Sequence, residues 1–176
     1  MTRYVALLRG INVGGRQKVA MADLRALLTG LGHTEVSTLL QSGNAVFTAS
    51  DQRTERLAAE IEEALARELG LTVRVVVRTG EELRAVVEHN PLEVVDPARF
   101  LVSFLAERPD PALFAALDPA SFAPEELAVG DRELYLSLPD GIQRARLPQL
   151  VDRLLPAQAT ARNWNTVTKL LALVGS

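Results

Sequence analysis

The sequence contains no cysteine. This absence excludes disulfides, thiolate nucleophiles and cysteine-based zinc sites. Only two histidines are present, His33 and His89, and they lack the H-x-x-x-H spacing of a helical histidine metal site. No metal is therefore expected, and the sequence indicates no particular cofactor.

Aromatic residues make up 5% of the sequence, and 22 carboxylates outnumber 19 lysines and arginines, for a net charge of −3. This balance argues against a broad basic surface that grips duplex nucleic acid, although it leaves room for a local basic patch. No apolar run approaches the about 18 residues of a membrane span. The N-terminus enters strand-like sequence without the features of a signal peptide. We therefore expect a cytoplasmic protein without a membrane partner.

The hydrophobic residues, 48% of the 176, are enough to bury a core of one domain or two small ones. In the first half, their spacing predicts the order β-α-β-β-α-β-α. Asp51 is the expected N-cap of the second helix and Gly70 its end, while Thr79 and Glu82 form a capping box for the third. The predicted strands are 4–8, 35–40, 45–48 and 71–78, and the predicted helices are 21–31, 51–70 and 79–90.

The second half repeats this order of elements. Strands are predicted at 100–105, 125–129, 133–138 and 157–161, and helices at 111–117, from near Pro148 to 155, and at 165–174. The repeat predicts an α+β fold of two side-by-side β-α-β-β-α-β-α units of the ferredoxin-like, split βαβ type. The expected domains are residues 1–91 and 99–176, with 92–98 as a linker.

A glycine-rich segment, RGINVGG at residues 9–15, follows the first predicted strand. Its exposed backbone N–H groups would lie among the positive side chains of Arg9, Arg16 and Lys18, and such places favour anions. The spacing matches neither the dinucleotide fingerprint nor the P-loop. The alternative is a glycine-rich connection whose basic residues are merely solvated.

Two further segments are rich in polar side chains: residues 41–44, between two predicted strands, and residues 160–166, which lead into the last predicted helix. These side chains can hydrogen-bond an anion or a base edge, but none titrates near neutral pH, so they suit binding better than proton transfer. The alternatives are structural. Ser42 and Asn44 are typical of hairpins, and Asn163 and Asn165 are typical of helix caps.

These segments together closely resemble the domain-of-unknown-function 1697 family of bacterial proteins, over nearly the whole chain. The serine-lysine-leucine triplet that usually opens the penultimate helix in the family is replaced here by Ala145-Arg146-Leu147. The resemblance implies an α/β fold of two related halves and a bacterial cytoplasmic setting, but no established activity, substrate or catalytic residues. It rests on LLRGINVGG at 7–15, Met21 with Leu24, QSGNAVF at 41–47, Asn90-Pro91 and RNWNTV at 162–167.

The hypothesis favoured by these residues is a protein that binds a small anionic ligand, phosphorylated or nucleotide-like, in a cleft between its two halves. Alternatives are a single-stranded nucleic-acid-binding module, an enzyme acting on a phosphate ester or acyl group with Asp23 or a carboxylate from elsewhere in the chain as base, and an interaction protein without a ligand. The expected ligand-binding residues are Arg9, Gly10, Asn12, Gly14, Gly15, Lys18, Gln41, Ser42, Asn44, Arg162, Asn163, Asn165, Thr166 and Lys169.

Overall fold

The computed structural model describes residues 1–157 and 159–175. Within these residues the chain is a mixed α+β protein with two four-stranded antiparallel sheets and five α-helices, which confirms the α+β class. The backbone divides into two compact units: unit 1 comprises Met1–Arg84 and Leu170–Ser176, and unit 2 comprises Ala85–Lys169. The domain boundaries expected from the sequence stay a prediction. None of the helices in the described residues has the length and apolarity needed to cross a membrane.

Unit 1 contains the first sheet, in which the strand order is β2-β3-β1-β4 and every neighbouring pair is antiparallel. The first and third strands of the chain are each followed by a helix. The strands are β1 (Thr2–Leu8), β2 (Thr34–Leu39), β3 (Asn44–Ala49) and β4 (Val75–Thr79), and the helices are α1 (Met21–Gly30), α2 (Thr54–Leu69) and α3 (Gly80–Glu88), the last of which ends in unit 2.

The core of unit 1 lies between one face of this sheet and the helices. Alternate residues of β1, Tyr4, Ala6 and Leu8, point into it because side chains of a strand alternate between its two faces. Helical spacing brings Leu24 of α1 and Ile61 of α2 against them. This packing fixes the end of β1, from which the glycine-rich segment leaves.

Two of the predicted helix ends in unit 1 are confirmed. Gly70 ends α2 with a left-handed φ of 66°. Thr79 and Glu82 form the capping box, since the Glu82 N–H donates to Thr79 Oγ1 (3.0 Å) and the Thr79 N–H to Glu82 Oε1 (3.2 Å). The prediction that Asp51 is the N-cap of α2 is wrong. Arg53 is the N-cap of α2, because the Asp51 carboxylate instead pairs with the N-terminal ammonium of Met1.

Unit 2 contains the second sheet, whose order β6-β7-β5-β8 corresponds strand for strand to that of the first. Its core includes Leu101, Leu134 and Leu136 of the sheet and Leu147 and Val151 of a helix. The strands are β5 (Phe100–Phe104), β6 (Glu126–Val129), β7 (Glu133–Ser137) and β8 (Thr160–Asn163), and the helices are α4 (Leu147–Leu154) and α5 (Trp164–Val174), which ends in unit 1.

The helix predicted at 111–117 is wrong. The described residues there form two 3-10 turns, Pro111–Leu113 and Pro119–Ser121. Each turn begins at an Asp-Pro pair in which the aspartate accepts the N–H two residues on, and the second proline prevents the first turn from continuing as a helix.

The last strand is also shifted from its predicted position. It was expected at 157–161, but β8 begins at Thr160; position 158 lies outside the described residues. The shift reflects the cap of α5, because Asn163 both ends the strand and starts the helix.

Candidate functional site

The glycine-rich segment leaves β1 between two other loops. The Leu8 N–H donates to the Gly43 carbonyl, in the turn between β2 and β3, at 2.9 Å. The next N–H, that of Arg9, donates to the carbonyl of Arg74, just before β4, also at 2.9 Å. The start of the segment is therefore held on both sides.

Residues 12–17 then fold into a small hairpin, the glycine hairpin. Its turn is closed by a bond of 3.0 Å from the Arg16 N–H to the Val13 carbonyl. The two central residues, Gly14 (φ 58°) and Gly15 (φ 75°), are both left-handed, as a type I′ turn requires. A Cβ at either would meet no atom within 4 Å. Glycine is therefore needed here for backbone conformation and not for space.

Asn12 joins this hairpin to its surroundings. Its Nδ2 donates to the carbonyls of Val19 (2.9 Å) and Gln41 (2.7 Å), and its Oδ1 accepts the Val19 N–H at 2.8 Å. Both amide N–H groups of the side chain are thus in use within the protein. The Asn12 side chain therefore holds the hairpin to the β2–β3 turn and to the residues just before α1.

Gln17, which sequence reasoning missed, anchors the opposite side of the hairpin. Its Nε2 donates to the carbonyl of Thr72 at 3.0 Å, and its own backbone is left-handed with φ of 49°. The two partners are 55 residues apart in the chain. Nothing in the local sequence signals a contact over that separation.

Helix α1 begins immediately after the segment. Its N-cap is Ala20, which has the extended backbone of a cap but supplies no side-chain hydrogen bond to the helix. The first N–H groups of a helix lack partners within it and carry partial positive charge. An acidic residue, Asp23, lies exposed in the first turn and opposes an incoming anion.

An open pocket of about 500 Å³ lies where the hairpin, the start of α1 and the β2–β3 turn meet. This volume is within the range of small-molecule sites. The one charged side chain in its lining is the exposed Lys18. The pocket therefore combines a cation, polar amides and a helix N-terminus, all within unit 1. It is lined by Asn12, Gly15, Lys18, Val19, Ala20 and Gln41.

The polar side chains of the β2–β3 turn mostly form hydrogen bonds within the protein. Asn44 is 0% exposed, and its Nδ2 donates to the Leu39 carbonyl (2.7 Å) and to Ser42 Oγ (2.9 Å). A Cβ on Gly43 would lie 2.6 Å from Ile11, so this turn packs tightly beneath the glycine-rich segment. Asn44 has no surface for a ligand, whereas Ser42 is exposed beside Gln41.

The remaining predicted residue of unit 1 is Gly10. It is exposed and left-handed, with φ of 66°, so its glycine serves the backbone path out of β1. Arg9 before it is partly buried. Neither residue lines the pocket.

In unit 2, Arg162 lies on β8 and is only 9% exposed. Burial lowers the pKa of its guanidinium to about 10, which leaves it protonated at neutral pH. Its Nη1 donates to the Ala161 carbonyl at 2.9 Å. This arginine is a buried charge and not a solvated one.

The start of α5 is capped from within the chain. Asn163 Oδ1 accepts the Thr166 N–H at 2.9 Å, which confirms the capping alternative for Asn163. Thr166 is buried, and Asn165 and Lys169 are exposed on one face of α5, four residues apart. The structure thus brings Asn12, Gly15, Lys18 and Gln41 into one pocket. The hypothesis that both segments contact one ligand in a cleft between the halves stays a prediction.

The chain has similarity to known proteins over the whole of this site. Residues 1–135 match the family described as a protein of unknown function, DUF1697. Among solved structures, it is similar to a conserved bacterial protein, SP0830, from Streptococcus pneumoniae, with 28% sequence identity, a TM-score of 0.81 and 98% of each chain covered. No curated protein matches the chain.

Proposed function

We propose that this chain, which belongs to the DUF1697 family of proteins of unknown function, binds a small anionic ligand, phosphorylated or nucleotide-like, in the pocket beside the glycine hairpin. One observation carries the proposal: Lys18 and the uncapped start of α1 at Ala20 line the same pocket of about 500 Å³. A helix N-terminus and a nearby cation both favour a bound phosphate.

The other helix starts support this choice of site. Thr79 caps α3 and Asn163 caps α5 with side-chain oxygens. The start of α4 is satisfied by the carboxylate of Glu125. Helix α2 resembles α1 in having no side-chain cap, so the missing cap alone does not define a site. The cation at the start of α2, Arg53, lies 3.7 Å from the carboxylate of Glu55, whereas Lys18 at the start of α1 lines the pocket.

The chemistry of the lining favours binding over reaction. Lys18 supplies charge, Gln41 an amide, and Gly15 a backbone N–H that donates to no carbonyl in the described part of the chain. None of these groups is a natural general base at neutral pH. The exposed carboxylate of Asp23 weakens anion binding without preventing it, since surface charges are screened by solvent.

A thermal-shift experiment on purified protein tests the proposal. Inorganic phosphate, ribose 5-phosphate and nucleoside monophosphates are added at constant ionic strength to the wild type, Lys18→Gln and Arg56→Gln. Arg56 is an exposed cation on α2 and provides the matched control. A ligand at ~100 times its Kd stabilises the folded state by about 2.7 kcal/mol. We expect a shift in the wild type and in Arg56→Gln that Lys18→Gln loses.

The other outcomes separate the remaining hypotheses. An equal shift in Lys18→Gln would move the site away from this pocket. Binding of oligonucleotides alone, erased by salt, would favour the single-stranded nucleic-acid module. A lack of any shift would favour an interaction protein without a ligand.

We also propose a ferredoxin-like arrangement and a cytoplasmic setting. The strand order β2-β3-β1-β4, with α1 and α2 in the two connections, supports the first proposal for unit 1. NMR contacts between neighbouring strands and cell fractionation are the respective tests.

A further inference from the structure

Three loops form one continuous surface at the end of the unit 1 sheet, here called the three-loop surface: residues 9–20, 40–43 and 70–74. Three hydrogen bonds tie them together. The Arg9 N–H donates to the Arg74 carbonyl (2.9 Å), Asn12 Nδ2 to the Gln41 carbonyl (2.7 Å) and Gln17 Nε2 to the Thr72 carbonyl (3.0 Å). The pocket lies on one side of this surface and Arg74 on the other.

The three-loop surface has charge of one sign. It carries four cations, Arg9, Arg16, Lys18 and Arg74, and no aspartate or glutamate. Since the whole chain has a net charge of −3, a contribution of +4 here leaves −7 for all other residues. Such a separation of charge attracts anions to this surface.

Three of these cations are available for an external anion. Arg16, Lys18 and Arg74 are all exposed. None of the three forms an ion pair with a carboxylate among the residues that the structure describes. Their charge is therefore not neutralised within unit 1.

The backbone positions that carry Lys18 and Arg74 lie on opposite sides of β1. Lys18 lines the pocket on the side of the β2–β3 turn, and Arg74 precedes β4. Because β3, β1 and β4 are neighbours in the sheet, and neighbouring strands lie about 4.8 Å apart, roughly 10 Å separates the two sides. Arg16, at the tip of the hairpin, lies in the connection between β1 and α1.

We infer that the ligand of this site carries a linear chain of phosphates that runs from Lys18 across the glycine hairpin toward Arg74. This inference rests on the proposed function, because it extends the same pocket. Exposed Val13 (64%) and Leu40 (52%) on the same loops offer apolar contact to an organic group attached to the chain. The ligand class is therefore the condensed phosphates, whose organic members include nucleoside di- and triphosphates.

Calorimetric titration of the full chain tests the inference with orthophosphate, pyrophosphate, tripolyphosphate and a nucleoside triphosphate at matched ionic strength. Affinity should rise by about tenfold or more from orthophosphate to tripolyphosphate, because each added phosphate makes further charge-assisted contacts. Arg74→Gln should lower the affinity for tripolyphosphate by about fivefold and leave that for orthophosphate unchanged, while Arg74→Lys should keep most of it. Arg56→Gln is the control for net charge.

The outcomes distinguish this inference from the proposed function. If none of the four ligands binds, or if each binds Lys18→Gln as tightly as the wild type, the proposed function fails. Suppose that orthophosphate binds through Lys18. If tripolyphosphate then binds no more tightly than orthophosphate, or if Arg74→Gln keeps the higher affinity for tripolyphosphate, only the inference is overturned. If a nucleoside triphosphate binds more tightly than tripolyphosphate, the ligand is a nucleotide. If the two affinities are equal, the ligand is an inorganic phosphate chain. A short oligonucleotide that binds more tightly than either would overturn the inference in favour of a nucleic-acid surface.

Discussion

Helices α4 and α1 begin in opposite ways. At α4, the carboxylate of Glu125, 8% exposed, accepts the N–H groups of Arg146 and Leu147 at 2.9 to 3.1 Å. At α1, Ala20 supplies no such group, and Lys18 and a pocket lie there instead. The same partial positive charge is satisfied inside unit 2 and is open to solvent in unit 1. Under the proposed function, the same physical feature serves stability at α4 and ligand binding at α1.

Removing the internal anion should have the largest effect. Glu125→Ala leaves the part-buried N–H of Arg146 and the buried N–H of Leu147 without their acceptor and should lower the free energy of unfolding by about 2–4 kcal/mol. Urea denaturation measures this, with exposed Glu126→Ala on the next residue as the control. If the free energy of unfolding falls no further than in the control, water satisfies the N–H groups at the start of α4. The starts of α4 and α1 would then not differ in the way described.

Installing an internal anion at α1 should make the two helices alike. Ala20 already has the extended backbone of an N-cap, so Ala20→Asp should stabilise the protein by about 1 kcal/mol. The new carboxylate would occupy the pocket and should abolish phosphate binding. Ala20→Ser caps without adding charge and should retain part of the binding. If Ala20→Asp stabilises the fold and binds phosphate unchanged, the ligand lies elsewhere.

A pH titration perturbs unit 1 through His33, which is 6% exposed and stacks on Phe47 at 4.7 Å. Burial lowers the pKa of His33, and the Glu60 carboxylate, 3.8 Å from Nε2, opposes this only in part. The folded state therefore binds this proton less readily than the unfolded state. Stability should be full above pH ~6.5 and fall as the pH drops toward the folded-state pKa, by at most about 1.4 kcal/mol per pH unit.

The control for this smaller effect is His33→Gln, which cannot titrate. Its melting temperature should change less with pH than that of the wild type between pH 7 and pH 5. The carboxylates contribute equally to both proteins in this range. Parallel curves would show that His33 does not control the acid sensitivity of unit 1.

The features predicted correctly from the sequence are local ones. The capping box of Thr79 and Glu82, the helix end at Gly70 and the Asn163 cap each depend on residues within a few positions. The family resemblance is also confirmed, by the match over residues 1–135. Local rules failed where two of them competed, as at residues 111–117, where apolar residues favoured a helix and the following Asp118-Pro119 stopped it.

The pocket could not be derived in the same way. It depends on contacts between distant parts of the chain, such as Asn12 with Gln41 and Gln17 with Thr72. The sequence predicted ligand contacts for residues of these segments, including Asn12 and Asn44, and these contacts stay a prediction. In the structure, the amides of Asn12 and Asn44 bond to the protein itself because two tight loops leave several carbonyls that need donors.

The three hydrogen bonds of the Asn12 side chain also have a kinetic consequence. They constrain the base of the hairpin in the folded chain, so less conformational entropy should be lost when the proposed ligand binds. Association should then be limited by diffusion and electrostatic attraction, without a slow rearrangement step. The Val19 amide, which donates to Asn12 Oδ1, should exchange its hydrogen slowly even in the ligand-free protein, and it provides a direct reporter of this rigidity.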